Sequence, residues 1–242
     1  MTDKSDIVEE LRKSSNYDEL NDIVLSIAQS PSLESIELIL SIFRKIDFEK
    51  ISKFLLNFIY VIGEVGLKQE VPDEIMDILH KLYMKSDRWI RREIIQSLGK
   101  ISRKRDLNQK SIDLINLSLN DEYNDLKIVA LDVLIENAKY VSLDYFNRFI
   151  SLLDYREAGI GEKSLSALKK ILKDEKFLVE KIKEKQTPLN KFQIRKLITL
   201  YSDSVRKLSD LRNAIESVEI SREIRDLFLA EINTMMKIIL RN

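Results

Sequence analysis

The sequence contains no cysteine, one histidine, five glycines and three prolines in 242 residues. The absence of cysteine excludes disulfides, thiol catalysis, iron–sulfur clusters and cysteine-ligated zinc. A single histidine, His80, excludes sites with several histidine ligands and disfavours a histidine-based catalytic triad. We expect it to be a surface or hydrogen-bonded residue. So few glycines and prolines leave little material for phosphate-binding loops or all-β turns.

Long apolar runs are also missing from the chain. The most apolar stretch, residues 54–66, is interrupted by Asn57 and Glu64 and is shorter than the ~18 residues that a membrane helix needs. The N-terminal sequence MTDKSDIVEELRKSS is charged and polar, without the apolar segment of a signal peptide. These features predict a soluble, cytoplasmic protein without a membrane partner.

Hydrophobic residues make up 44% of the chain and charged residues 33%, which is enough apolar material for a real core. Carboxylates are plentiful, but no spacing singles out a pair for general acid–base catalysis. We therefore predict no catalytic residues, no metal and no cofactor, and hence a protein that is not an enzyme.

Apolar residues recur at helical spacing along nearly the whole chain. For example, Ile75, Ile78, Leu79 and Leu82 follow the i, i+3, i+4, i+7 pattern of an amphipathic helix, and strand-like alternation is absent. Each break between periodic segments carries an N-cap residue or a proline. The breaks lie at 30–32, 69–72, 85–87, 120–121, 173–174, 187–188 and 201–203. Such short connections predict an all-α protein of antiparallel neighbouring helices.

The periodic segments repeat every 34 to 36 residues. Leu98 aligns with Leu134 at a step of 36, Leu134 aligns with Leu168 at a step of 34, and Gly63 and Gly99 are 36 residues apart. First helices are predicted at 73–84, 109–119 and 143–153, and each precedes a second helix, the first of which is predicted at 87–102. The repeating unit is therefore a helix, a tight turn with an aspartate, and another helix.

Residues 72–101, PDEIMDILHKLYMKSDRWIRREIIQSLGKI, resemble a HEAT repeat. A proline opens the first helix, Asp87 lies in the turn, Ile90-Arg91 forms an apolar–arginine pair, and Ser97-Leu98 precedes Gly99. The resemblance covers 72–172 well and extends to 30–66. It also implies a structural role for Arg91, paired with Asp87 or with Asp121 of the next turn.

This resemblance implies one elongated α-solenoid over residues 1–242, with about six to seven stacked antiparallel helical hairpins. Residues 1–29 would form an N-terminal cap, 30–172 the repeats, and 173–242 divergent hairpins with a final helix at 221–240 that caps the array or forms a dimer contact. Because HEAT-repeat proteins are mostly binding scaffolds, we predict a non-catalytic scaffold that holds a protein partner on the concave face of the second helices. The partner and the oligomeric state stay open.

Charge is distributed unevenly along the chain. Residues 1–80 hold 8 basic and 16 acidic side chains, whereas residues 81–110, here called the basic centre, hold 10 basic and 3 acidic ones. A cationic stripe of this kind suits a phosphate backbone or an acidic partner. The alternative function is therefore a nucleic-acid-binding module that uses the basic centre, although aromatic side chains for base stacking are few there.

The predicted contact residues come from helical spacing. If Ile94 and Leu98 face the core of the helix at 87–102, Arg88, Arg92 and Gln96 share its outward face. Trp89, the only tryptophan, either packs against the preceding unit or forms an exposed anchor. We predict that the partner-binding residues are Arg88, Trp89, Arg92, Gln96, Lys127 and Lys163.

Overall fold

The computed structural model describes residues 4–141, 145–155, 159–172, 174–184 and 189–241. Every regular element in these ranges is helical, which confirms the all-α prediction. The α-helices are α1 Lys4–Lys13, α2 Tyr17–Gln29, α3 Leu33–Lys45, α4 Phe48–Ser52, α5 Leu55–Lys68, α6 Asp73–Tyr83, α7 Arg88–Ile101, α8 Gln109–Ser118, α9 Asn124–Glu136, α10 Phe146–Leu152, α11 Ile160–Ile171, α12 Glu175–Glu184, α13 Lys191–Thr199, α14 Val205–Ser217 and α15 Arg222–Ile239. A 3-10 turn follows α9 at Ala138–Tyr140.

Two compact units divide the chain, Met1–Val133 and Leu134–Asn242, and the division falls within α9. Three sequence predictions touch residues outside the described ranges: the break at Lys173, the break at 187–188, and the start of the helix predicted at 143–153. The single continuous array over the whole chain stays a prediction.

Side-chain caps set the starts of several helices. The Ser32 hydroxyl accepts a hydrogen bond from the Ser35 amide, and Ser35 reciprocates, forming a capping box at α3. The Asp87 carboxylate accepts from the amides of Trp89 and Ile90 at 2.9 and 3.0 Å and thereby begins α7. These contacts satisfy amides that have no partner within the first helical turn.

The first unit arranges its helices in two layers. α1 packs on α3 and α6 packs on α8 in one layer, while α2 packs on α5 and α5 packs on α7 in the other. We call α2, α5 and α7 the second-helix layer, because each is the second member of a helical pair. The contact between α5 and α7 is extensive.

Glycines allow the second helices of the first unit to approach closely. A Cβ added at Gly63 would lie 2.6 Å from Ser97 Oγ, and a Cβ added at Gly99 would lie 2.6 Å from Val133 Cγ2. Ser97 Oγ also donates to the carbonyl of Ile59 at 2.9 Å. Because Gly63 and Ser97 are 34 residues apart, as are Gly99 and Val133, the close approaches recur at the predicted repeat length.

Polar contacts follow the same interval in the first unit. The Tyr83 hydroxyl lies 2.9 Å from the Ser118 hydroxyl, 35 residues further along the chain. The Asn57 amide donates to Asn21 Oδ1 at 2.6 Å, across 36 residues. Side chains about one repeat apart in the sequence are therefore in contact in both layers of the first unit.

The core confirms the predicted register of the second helices. Leu98, Leu134 and Leu168, which align in the sequence, are each fully buried. Ile94 and its aligned partner Ala130 are fully buried as well. Burial of aligned positions in successive helices is what a repeated apolar stripe produces.

The second unit is also built from neighbouring helical pairs. α10 packs on α11, α14 packs on α15, α12 packs on α14, and α13 packs on α15. The Arg195 guanidinium binds both oxygens of Glu231 at 3.0 and 3.1 Å, joining α13 to α15 across 36 residues. This hydrogen-bonded pair holds the pKa of the largely buried Glu231 carboxyl below its usual range.

Candidate partner-binding surface

Arg88 stacks between two aromatic rings at the start of α7. Its guanidinium carbon lies 4.5 Å from the centroid of the Trp89 ring and 5.0 Å from that of Tyr123. Two environments were predicted for Trp89, packing against the preceding unit or an exposed position. The side chain is 51% exposed, which favours the exposed position. An arginine held between rings is fixed in orientation and still presents its N–H groups to solvent.

Arg92, Gln96 and Lys100 continue this face along α7. Arg92 Nη1 lies 3.4 Å from Gln96 Oε1, one helical turn away. Lys100 Nζ lies 2.9 Å from Glu64 Oε1 and 4.5 Å from the centroid of the Tyr60 ring, both on α5. The structure therefore places Arg92 and Gln96 on the partly exposed side of α7, where helical spacing predicted them.

The neighbouring helix α5 contributes apolar side chains to the same face. Leu56 and Tyr60 lie one turn apart on α5 and are 45% and 38% exposed. We name the resulting patch the second-helix surface: it consists of Leu56, Asn57, Tyr60 and Glu64 on α5 and of Arg88, Trp89, Arg92, Gln96 and Lys100 on α7.

Sequence reasoning missed the contribution of α5 to this surface. Residues 54–66 read as the most apolar stretch of the chain, so Leu56 and Tyr60 were not distinguished from core residues. The sequence does contain a signal for their exposure, which is the alignment of Gly63 with Gly99. This alignment sets the register of α5 against that of α7. With that register, Tyr60 falls at the position of Gln96, which faces outward.

Lys127 does not belong to the exposed surface, contrary to prediction. Its side chain is only 4% exposed, and Nζ lies 3.3 Å from Asn124 Oδ1. The physical reason is its register: Lys127 aligns with Arg91, which turns toward the neighbouring repeat rather than outward. Lys163 lies in the second unit and is partly exposed on α11.

Arg91 connects α7 to the next turn. Its Nη1 lies 2.8 Å from Asp121 Oδ2, and the Asp121 side chain is only 6% exposed. The other carboxylate oxygen of Asp121 accepts a hydrogen bond from the Tyr123 amide at 3.0 Å. Of the two predicted partners, Arg91 thus uses Asp121, while Asp87 caps its own helix.

Much of the positive charge in the basic centre is already neutralised. Besides Arg91 and Lys100, Arg105 is paired: its Nη2 lies 2.7 Å from Asp73 Oδ1, and its Nη1 donates to the Val71 carbonyl at 2.6 Å. Lys110 lies 4.0 Å from the Asp77 carboxylate. The net charge of +7 in the sequence therefore overstates the positive field available to a ligand.

Glu93 lies at the edge of the second-helix surface. Burial raises the pKa of its carboxyl, and the nearby charges of Lys100 and Arg92 oppose that shift. Within the described residues, Glu93 Oε1 is buried and has no hydrogen-bond partner. The edge of the surface thus carries a carboxylate with one buried oxygen that accepts no hydrogen bond from the described residues.

His80 on α6 contacts a buried serine of α8. Its Nε2 lies 2.8 Å from Ser111 Oγ, and its Nδ1 lies 3.9 Å from Asp77 Oδ1. Ser111 is fully buried, and its hydroxyl donates to Asn108 Oδ1 at 2.9 Å, so a substrate does not reach this oxygen. The contact joins α6 to α8, consistent with the predicted hydrogen-bonded histidine.

Comparison with known protein families and with curated proteins finds no match for this chain. The resemblance to HEAT repeats therefore depends on the sequence pattern and on the packing described above. No helix in the described part of the chain is long and apolar enough to cross a membrane. Across the same residues, no three acidic or histidine side chains come together as a metal site.

Proposed function

We propose that the chain is a HEAT-like α-solenoid that acts as a non-catalytic scaffold and holds a protein partner on the second-helix surface. The observation that carries the proposal is the exposure of Trp89, Tyr60 and Leu56 beside Arg92 on one face of the second-helix layer. Tryptophan, tyrosine and arginine are the residue types that contribute most binding energy at protein interfaces. Scattered exposed apolar residues are common, but a group on one face is typical of an interaction site.

The solenoid part of the proposal is supported by the recurring contacts. If consecutive helices of the described residues are paired, with the five-residue α4 counted as part of a connection, fourteen helices are available for the predicted six to seven hairpins. Contacts such as Gly99 to Val133 and Arg195 to Glu231 join equivalent positions of successive hairpins. A single hairpin cannot bury both of its apolar stripes, so stacking on the next hairpin stabilises each one.

The neutralised cations favour a protein over a nucleic acid. Affinity for a phosphate backbone depends on several unpaired cations placed along the strand. In the basic centre, Arg91, Lys100 and Arg105 are instead bound to carboxylates. Arg88 and Arg92 stay accessible, but they lie beside apolar rings, an arrangement that suits a mixed protein interface.

Capture from a native lysate tests this proposal. The full chain serves as bait at two salt concentrations, with and without nuclease, beside an Arg88→Glu/Arg92→Glu variant. A matched control, Arg206→Glu/Lys237→Glu, reverses two exposed charges in the second unit.

We expect a protein that the wild type and the control retain regardless of nuclease, and that the Arg88→Glu/Arg92→Glu variant loses while its helicity is unchanged. Recovery of nucleic acid alone, lost steeply at high salt, would instead support the alternative function. Equal capture by all three forms would exclude the second-helix surface as the binding site.

A further inference from the structure

An open pocket of about 480 Å³ lies in the first unit, at the end of the pair formed by α6 and α7. Its apolar lining comes from Phe43, Phe48, Leu55, Leu82 and Ile90, contributed by five different helices. This volume is within the range of pockets that bind small ligands or single anchoring side chains, roughly 300–1,000 Å³. The pocket also explains why Ile90, the apolar member of the apolar–arginine pair, is only partly buried.

The short helix α4 creates the pocket. The connection between α6 and α7 spans only residues 84–87, whereas α3 and α5 are separated by residues 46–54, which include α4. This longer connection holds Phe48 at the pocket wall with 52% of its surface exposed. Exposing a phenylalanine costs hydrophobic free energy, so the folded chain alone gives no stability reason for its placement.

Two lysines border the apolar lining. Lys81 lies in the last turn of α6 and Lys85 in the connection to α7, and neither has an ion-pair partner among the residues that the structure describes. The carboxylate of Asp87 also faces the pocket, but one of its oxygens accepts two amide hydrogen bonds that cap α7. The border therefore carries two lysines without an ion pair and one carboxylate, so it is positively charged on balance beside an apolar cavity.

We propose that this pocket binds an acidic protein segment that inserts one aromatic or aliphatic side chain between two flanking carboxylates. The apolar lining accommodates the side chain, and Lys81 and Lys85 bind the carboxylates. Charge complementarity selects an acidic segment over a basic one. The site is separate from the second-helix surface, so its test does not depend on the partner proposed above.

The test is an NMR titration of the full, nitrogen-15-labelled chain with a synthetic peptide, acetyl-Glu-Asp-Phe-Leu-Asp-Glu-amide. Two further peptides serve as probes: one replaces Phe and Leu by Ser, and the other replaces the four acids by their amides. A six-nucleotide single-stranded DNA tests for general anion binding.

We expect amide shifts confined to the residues around the pocket, with a Kd near or below ~1 mM, which is typical of a short segment with one anchor. Lys81→Gln/Lys85→Gln should weaken binding by about 3- to 10-fold, because exposed ion pairs are individually weak. The exposed Phe48→Ser should weaken it by a similar factor while leaving the spectrum of the fold intact. The control Lys104→Gln/Lys237→Gln removes two exposed lysines elsewhere and should bind as the wild type does.

Several results would overturn the proposal. These are the absence of shifts around the pocket at ~1 mM peptide, undiminished binding by the Ser peptide or the amide peptide, and equal weakening in the control variant. Identical shifts caused by the oligonucleotide would likewise replace the acidic segment by a general anion site.

Discussion

Replacing Gly99 by alanine has two opposing effects on the free energy of unfolding. In an exposed helix interior, alanine is more stable than glycine by about 1 kcal/mol. At this position the new Cβ would lie 2.6 Å from Val133 Cγ2, far inside the ~3.5–4.0 Å of favourable carbon–carbon contact. Val133 is buried and β-branched, so it cannot rotate away freely. Overpacking of this kind costs about 1–3 kcal/mol, so after the gain of about 1 kcal/mol is subtracted we expect a net destabilisation of up to about 2 kcal/mol.

A double-mutant cycle separates these effects. Val133→Ala removes the atoms that the new methyl group would meet, so Gly99→Ala should then become neutral or stabilising. The expected coupling energy between the two sites equals the relieved overpacking cost, about 1–3 kcal/mol. Val129→Ala, one turn earlier on α9, is the matched control and should show additivity with Gly99→Ala to within about 0.5 kcal/mol.

The assay is urea denaturation of the full chain, followed by circular dichroism, for the wild type and each variant. If Gly99→Ala alone raised the free energy of unfolding by about 1 kcal/mol, the change would be explained by helix propensity without any steric clash at Val133. That result would refute the close approach of α7 to α9 and, with it, the packing of second helices at the repeat interval.

Three further predictions concern stability. Leu98→Ala and Leu134→Ala should each lower the free energy of unfolding by about 2–5 kcal/mol in urea denaturation, since both side chains are fully buried, and a loss below ~1 kcal/mol would contradict the register. Asp121→Asn should cost about 1–3 kcal/mol, because it leaves the partly buried Arg91 without its counter-charge, and the cost should shrink in an Arg91→Met background. Burial lowers the pKa of His80 below its ordinary value of 6.5, so the unfolded chain binds the proton more readily than the folded chain does. The neutral imidazole therefore contributes stability that is complete above pH 6.5 and is lost as the pH falls. The free energy of unfolding of the wild type, measured relative to that of His80→Gln, should therefore fall between about pH 7.5 and about pH 5.5. A difference that stays constant over this range would contradict the prediction.

The repeat and the helix boundaries could be predicted from the sequence because both follow from local rules. The helix predicted at 73–84 is observed at Asp73–Tyr83, and the one predicted at 87–102 is observed at Arg88–Ile101. The resemblance to a HEAT repeat likewise implied that Arg91 pairs with a turn aspartate, either Asp87 or Asp121. The burial of Leu98 and Leu134 follows from the same apolar periodicity.

The details of the surface could not be predicted in the same way. The predicted repeat aligns Lys127 with Arg91 rather than with the outward-facing Arg92, so its place among the predicted contact residues did not follow from helical spacing. The stacking of Arg88 between Trp89 and Tyr123 depends on how α7 packs beside the turn before α9. The pocket depends on α4, a short helix without the long periodicity by which helices are recognised.

The most direct test of the central claim uses the single tryptophan of the chain. The full chain is prepared with 5-fluorotryptophan, so Trp89 gives one fluorine-19 resonance that is distinct from any signal of the partner. The captured partner is then added, and the accessibility of the ring is followed through the solvent isotope shift of that resonance. If the second-helix surface binds the partner, the resonance moves and loses its solvent sensitivity at saturation. A resonance that stays unchanged while the complex is shown to form would contradict the proposed site.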